Sequence, residues 1–148
     1  MTQFFFFIPT LVFAAILNSQ PINYPVTADF KCKTEIDSIT KQLVYKTADI
    51  EAREEGGDGK LQQVLERGIN TDDIAVDSIM YIPPIVVAFI VDQDGSIKGE
   101  RVVSDITHKV GKQMLDIIKL FKWTPAKCND KNVPMIKTQI MIIDIAEQ

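Results

Sequence analysis

The stretch Asp92-Gln93-Asp94-Gly95 offers the clearest candidate for cation chemistry in this sequence, because closely spaced carboxylates open many calcium loops. Such a loop ends in a glutamate that binds calcium through both oxygens. Counted from Asp92, that position is Val103, which has no ligand atom. A turn between two strands is the better interpretation, since an Asp-Gly pair accepts the positive φ that tight turns demand.

The other residues that could act in catalysis do not combine into a site. His108 is the only histidine and has no nucleophile or carboxylate at a useful spacing. Glu54 and Glu55 are adjacent, so their carboxylates point in different directions. The glycine-rich stretch that follows them lacks the Gly-Lys-Ser/Thr of a phosphate loop. We therefore expect no catalytic residue, no cofactor and no metal.

Cys32 and Cys128 are the only cysteines, and their spacing matches neither a CxxC redox motif nor a metal-binding pattern. In an oxidising compartment the two can form a disulfide. Two unpaired thiols that pack or face solvent are the alternative. The sequence leaves both interpretations open.

An apolar run of 14 residues, Phe4 to Leu17, stands near the N-terminus and is followed by Asn-Ser-Gln. A membrane-spanning helix needs about 20 apolar residues, so the run is typical of the central part of a signal peptide. We expect residues 1–19 to be a signal peptide cut after Ser19, and an uncleaved membrane anchor is the alternative. Membrane contact is expected only through this leader.

The composition indicates one soluble globular domain without a nucleic-acid partner. The chain has 148 residues, of which 46% are hydrophobic and 24% charged, and its net charge is −4, so it lacks the basic excess that binds nucleic acids. The charge is uneven, with nine acids against three bases between Asp49 and Asp77. Two solvated faces of opposite charge explain this, and an acidic partner for the basic half is the alternative.

Periodicity divides the chain into an extended lead-in, residues 20–42, and a folded domain, residues 43–148. Within the domain the pattern predicts a short strand near Leu43, two helices, a hairpin and a final strand. The helices cover Leu61–Ile69 and residues 107–121, the hairpin joins Ile85–Val91 to Ile97–Ser104, and the last strand is Met135–Ile145. This order predicts an α+β domain in which a small antiparallel sheet, the hairpin plus the C-terminal strand, packs on two helices.

A group of turn and aromatic residues is expected to be architectural. Asp94 and Gly95 form the hairpin turn. Trp123 covers the junction of helix and sheet, Pro125 prevents the second helix from continuing, and Pro134 begins the last strand where no backbone donor is needed.

The ordered set of motifs resembles the C-terminal domain of TonB, in the form found in TonB-like energy transducers. The matching residues are spread from the hairpin to the last strand: Val91-Asp92-Gln93-Asp94-Gly95, Val102-Val103-Ser104, Trp123, Pro125, Asn129, Lys131, Val133 and Pro134. The resemblance covers Leu43 to Ile145. It implies a TonB C-terminal-like fold, a location in the periplasm of a Gram-negative-type envelope, and a part in TonB-dependent transport.

The resemblance also implies a partner, an extended peptide of an outer-membrane receptor or another envelope protein that adds a strand to the sheet. We expect the last strand to be a free edge, with Lys137 and Gln139 pointing outward and with Met141 and Ile143 seating apolar side chains of the peptide. A structural or adaptor domain that forms a homodimer through the same edge is the alternative.

Overall fold

The computed structural model describes residues 31–57, 59–71 and 81–143. The predicted signal peptide lies outside these ranges, as do residues 20–30 of the predicted lead-in. The last two residues of the predicted final strand, Asp144 and Ile145, also lie outside them.

The described chain is an α+β arrangement with one main sheet. Five strands build that sheet: β1 (Lys33–Ile36), β2 (Leu43–Thr47), β4 (Ile85–Val91), β5 (Ile97–Ser104) and β9 (Met135–Met141). Two short ribbons pair β3 (Arg53–Glu54) with β6 (Trp123–Thr124), and β7 (Ala126–Cys128) with β8 (Lys131–Val133). The helices are α1 (Lys60–Gly68) and α2 (Val110–Leu120). The predicted α+β class is confirmed.

The main sheet has the order β1-β2-β9-β4-β5 and is mixed. Its neighbours are antiparallel except β2 and β9, which run parallel with Tyr45 beside Met135. The prediction of a purely antiparallel sheet is therefore wrong. Only a tight turn forces neighbouring strands to be antiparallel, and β2 and β9 are connected through most of the domain.

The predicted hairpin is confirmed, because its two strands coincide with β4 and β5. Strand β4 is buried on both faces. Val87, Phe89 and Val91 belong to the core under the helices, while Ala88 and Ile90 are buried on the opposite face. Burial on two sides explains why the strand is a continuous apolar run.

Both helices cover the same face of the sheet, as predicted. Leu61 and Leu65 of α1 lie in one core cluster with Val110, Met114 and Ile118 of α2 and with the β4 residues on that face. The helices approach each other closely at Gly68, where a Cβ atom would lie 3.1 Å from Cδ1 of Ile117. The apolar residues that recur along each helix sequence are thus the residues on its buried side.

The N-terminal hairpin β1–β2 partly covers the opposite face. The Asp37 carboxylate, buried in the turn, accepts hydrogen bonds from Nη2 of Arg101 at 2.7 Å and from the backbone N–H of Thr40 at 2.8 Å. Arg101 lies beside Ala88 and therefore on this face. Thr40 also approaches Gly99 so closely that a Cβ there would lie 2.7 Å from Cγ2 of Thr40. Residues 33–36, which the sequence assigned to the lead-in, are thus a paired strand of the sheet.

Candidate functional site

Strand β9 is the element expected to bind a peptide along a free edge. The structure pairs it with β4 over seven residues, from Ile85 beside Met141 to Val91 beside Met135. On its other side β9 meets β2 at a single residue pair. The outer strands of the main sheet in the described chain are β1 and β5, so the prediction that β9 is an edge strand is wrong. The sequence contains no signal for this contact, because one residue pair between distant segments creates no periodicity.

Beyond that pair, the border of β9 that faces β2 has no neighbouring strand among the described residues. The backbone N–H of Tyr45 donates to the carbonyl of Pro134 at 2.8 Å. Backbone groups alternate in direction along a strand, so those of Thr138 and Ile140 point to the same side as those of Pro134. No strand in the described part of the chain pairs with them. We call this border, at Thr138 and Ile140, the open lane.

The same alternation directs the backbone groups of Lys137 and Gln139 toward β4. Both residues stand opposite partners in that strand, Phe89 and Val87 respectively. The N–H of Gln139 therefore points toward β4. Its neighbours Thr138 and Ile140 are the residues whose backbone groups face a strand added at the open lane.

The side chains of β9 also differ from the prediction. Lys137 and Gln139, expected to point outward, lie on the helix face, where Nζ of Lys137 is 3.1 Å from a carboxylate oxygen of Glu51. Met141, expected to seat a peptide side chain, is 7% exposed and belongs to the core, and Ile143 packs against that core beyond the strand. Apolar residues occur at both the odd-numbered and the even-numbered positions of this strand. The alternation of residue types alone therefore could not show which face is buried.

Helix α1 forms a polar wall beside the open lane. Nε2 of Gln139 donates to Oε1 of Gln62 at 3.0 Å, and Nε2 of Gln62 donates to Oε1 of Glu66 at 2.9 Å. Leu61 and Leu65 enter the core, which turns the next positions around the helix, Gln62 and Glu66, toward β9. The Glu66 side chain remains exposed.

The hairpin turn is fixed by local hydrogen bonds and by its approach to Trp123. The Ser96 hydroxyl and backbone N–H donate to Oδ1 of Asp94 at 2.6 and 2.9 Å, and these bonds lower the pKa of the Asp94 carboxyl. Gly95 has a φ of 83°, and a Cβ atom there would overlap the carbonyl oxygen of Trp123. Only glycine satisfies both conditions without strain.

Trp123 joins α2 to the sheet. Its indole N–H donates to the carbonyl of Ile118 at 3.2 Å, near the C-terminal end of the helix. The ring meets Phe89 of β4 edge to face with centroids 5.1 Å apart, and the residue is 8% exposed. Pro125 follows directly after the β6 strand, and Pro134 precedes β9 and accepts the hydrogen bond from Tyr45.

A disulfide joins Cys32 to Cys128, with the Cα atoms 6.2 Å apart. It ties the start of the N-terminal hairpin to the β7–β8 ribbon. Asp49 lies beside it and accepts a hydrogen bond from the backbone N–H of Asn129 at 2.9 Å. The ligand atoms of Cys32, Asp49 and Cys128 lie within 4.8 Å of one another, but both sulfur atoms are committed to the disulfide and offer no thiolate to a metal.

The residues around the open lane that sequence reasoning missed are Tyr45, Glu51, Gln62 and Glu66. A partial signal existed for two of them. Gln62 and Glu66 are four positions apart and flank the apolar positions of α1, so their place beside the buried stripe could have been found. The contact of Tyr45 with the start of β9 has no counterpart in local sequence.

No family model matches the sequence and no curated protein matches it. Within the described ranges, neither helix is both long and apolar enough to cross a membrane.

Proposed function

We propose that this chain is a non-catalytic, TonB-like binding module of the periplasm. It binds an extended peptide of an outer-membrane receptor, or of another envelope protein, by strand addition, and it acts in TonB-dependent transport. The observation that supports this proposal is the open lane. One border of a central strand keeps backbone donors and acceptors that no described strand uses.

Such an added strand would gain energy mainly from backbone pairing. Thr138 provides one N–H and one carbonyl to the open lane. Ile140 provides its N–H and a carbonyl that already accepts a hydrogen bond from Nε2 of Gln139 at 3.4 Å. Each hydrogen bond contributes about 0.5–1.5 kcal/mol net, so a short peptide binds weakly unless side chains add to the contact. Ile140 is 51% exposed beside the lane and provides apolar surface for that purpose.

The hairpin β1–β2 sets one end of the site. Strand β2 lies next to β9 where Tyr45 pairs with Met135, and it pairs with no later residue of β9. A peptide beside Thr138 and Ile140 would continue in line with β2. The hairpin therefore limits the site toward the N-terminal end of β9.

The test is a pair of proline variants. In Thr138→Pro the lost N–H points into the open lane, so the domain should fold and binding of receptor peptides should fall. In Gln139→Pro the lost N–H points toward β4, so a ladder hydrogen bond inside the sheet is removed and the domain itself should be destabilised. Circular dichroism measures folding, and titration with an overlapping peptide set from the periplasmic segments of outer-membrane receptors measures binding. A folded Thr138→Pro variant that binds these peptides as tightly as the wild type would contradict the proposal.

A homodimer formed through the same lane is the second candidate. The supporting observation is the exposure of Ile140 and Ile142, which are 51% and 73% exposed at this border. Isolated edges with exposed apolar side chains favour pairing between copies. Sedimentation equilibrium decides between the candidates, because a dimer that disappears in Thr138→Pro supports self-pairing and a monomer at every concentration excludes it.

A further inference from the structure

We propose that the segment bound in the open lane carries a basic residue opposite Gln139, with an aliphatic residue on each side of it. This inference rests on the proposed function and names the chemistry of its ligand. The observations behind it are the polar wall of α1 on one face of the lane and the apolar border on the other.

The alternation of side chains in a strand fixes which ligand residue meets which face. Residues directly opposite each other in neighbouring strands point to the same side of the sheet. The ligand residue opposite Gln139 therefore points to the helix face. Those opposite Thr138 and Ile140 point to the other face.

On the helix face, the charge next to Gln139 is negative. Gln139 is hydrogen-bonded to Gln62, and Gln62 is hydrogen-bonded to the exposed carboxylate of Glu66. Arg67 follows Glu66 directly but is turned about 100° further around α1. Glu51, which also lies near this face of β9, already forms an ion pair with Lys137. Among the described residues, the Glu66 carboxylate accepts a hydrogen bond from Gln62 and forms no ion pair, so it is the acid toward which a lysine or arginine opposite Gln139 can extend.

On the other face, the described residues of β9 and β4 along the border carry no charge. Thr138 is exposed there, Ile140 is half exposed, and Val86 lies beside Ile140 in β4. Aliphatic ligand side chains opposite Thr138 and Ile140 would extend this apolar row by one strand. Charged side chains in those two positions would gain no partner among the described residues of β9 and β4.

The size of the expected preference follows from the exposure of Glu66. An exposed ion pair changes affinity modestly, and replacing a favourable charge by an unfavourable one changes it more. We expect binding to weaken about threefold when the basic residue becomes neutral and about tenfold when it becomes acidic. The preference should diminish at high salt.

Three capped heptapeptides test the inference: Ser-Thr-Val-Lys-Val-Thr-Ser and the same sequence with Gln or Glu in the central position. Each is titrated at millimolar concentration into the isotope-labelled full chain, and amide shifts give the dissociation constants. In Glu66→Gln the three peptides should bind with equal affinity. Glu55→Gln is the matched control, because Glu55 lies next to Lys122 and away from the lane, and it should keep the preference for Lys.

The outcomes separate this inference from the proposed function. If none of the three peptides shifts Thr138 and Ile140, strand addition at the lane is overturned together with the inference. If all bind there equally, or the Glu peptide binds best, the charge preference is overturned while strand addition stands. If Lys is preferred in both Glu66→Gln and the wild type, another group provides the charge and the assignment to Glu66 is wrong.

Discussion

The two halves of the main sheet are held together by different means. The first half consists of β4, β5 and β9. Strands β4 and β9 share a continuous core with both helices and pair along their whole length, and Ile97 of β5 packs against that core. The hairpin β1–β2 meets this half at one residue pair in β9. Val44 of the hairpin is buried and Tyr45 packs against the core. The Asp37–Arg101 ion pair and the disulfide between Cys32 and Cys128 fasten the hairpin further.

This difference explains why an open border occurs inside the sheet. A strand that belongs to the core is kept in register by every side chain it buries. A hairpin that is fastened at separate points can stop pairing with the neighbouring strand after one residue, as β2 stops pairing with β9 after Tyr45. The open lane lies where the two halves diverge. We therefore expect large effects on stability from changes that affect the core of the first half and smaller effects from changes in the second half, the hairpin β1–β2.

The largest effect is expected at Trp123, which packs against Phe89 of the first half. Replacing it by alanine removes the ring contact with Phe89 and the hydrogen bond to Ile118, and leaves a cavity between helix and sheet. We expect Trp123→Ala to lower the free energy of unfolding by about 3–5 kcal/mol, measured by urea denaturation. Leu120→Ala is the control, since Leu120 is 83% exposed and its loss should change stability by under about 0.5 kcal/mol. Equal effects of the two variants would mean that Trp123 does not support the core.

The disulfide should come next, because it closes a long loop between the two halves. Replacing both Cys32 and Cys128 by serine should lower the free energy of unfolding by about 2–4 kcal/mol. Amides of β1 and β2 should exchange faster with solvent while those of β4 keep their protection. A uniform loss of protection across both halves would contradict the separate attachment of the hairpin.

A smaller effect is expected at Asp37. The pair with Arg101 is partly exposed on the arginine side, at 21%, so we expect Asp37→Asn to cost about 2 kcal/mol, less than a fully buried pair. The same urea titrations measure it. Lys46→Gln removes a charge from an exposed pair with Glu35 in the same hairpin and serves as the matched control, with a cost under about 1 kcal/mol.

Asp37 also gives this attachment a pH dependence. Hydrogen bonds from Thr40 are the main cause that lowers the pKa of Asp37 below its ordinary value of 3.8, and Arg101 lowers it further against the opposing effect of burial. A lowered pKa contributes stability that is fully present above pH 3.8 and is lost as the pH falls through the folded-state pKa. The wild type should therefore lose more stability on acidification than Asp37→Asn does. Parallel stability curves for the two proteins in acid would show that Asp37 is not the group concerned.

The sequence predicted the first half of the sheet well and the second half poorly, for a physical reason. The β4–β5 turn, the two helices and the role of Trp123 follow from local residue types and spacing. The parallel contact of β2 with β9 depends on one pair of residues, and the attachment of Asp37 to Arg101 depends on two distant charges. Neither leaves a periodic pattern. The face of β9 was misassigned because Met135 and Met141 on one alternation and Ile136 and Ile140 on the other are equally apolar.

Residue-resolved hydrogen exchange along β9 tests the central claim most directly. In the protein without ligand, the amides of Lys137 and Gln139 should exchange slowly because they pair with β4, and those of Thr138 and Ile140 should exchange quickly because they face the open lane. Adding the lysine heptapeptide should slow Thr138 and Ile140 and leave the other two unchanged. Slow exchange of all four amides before any peptide is added, or fast exchange of Thr138 and Ile140 at saturating peptide, would contradict the account.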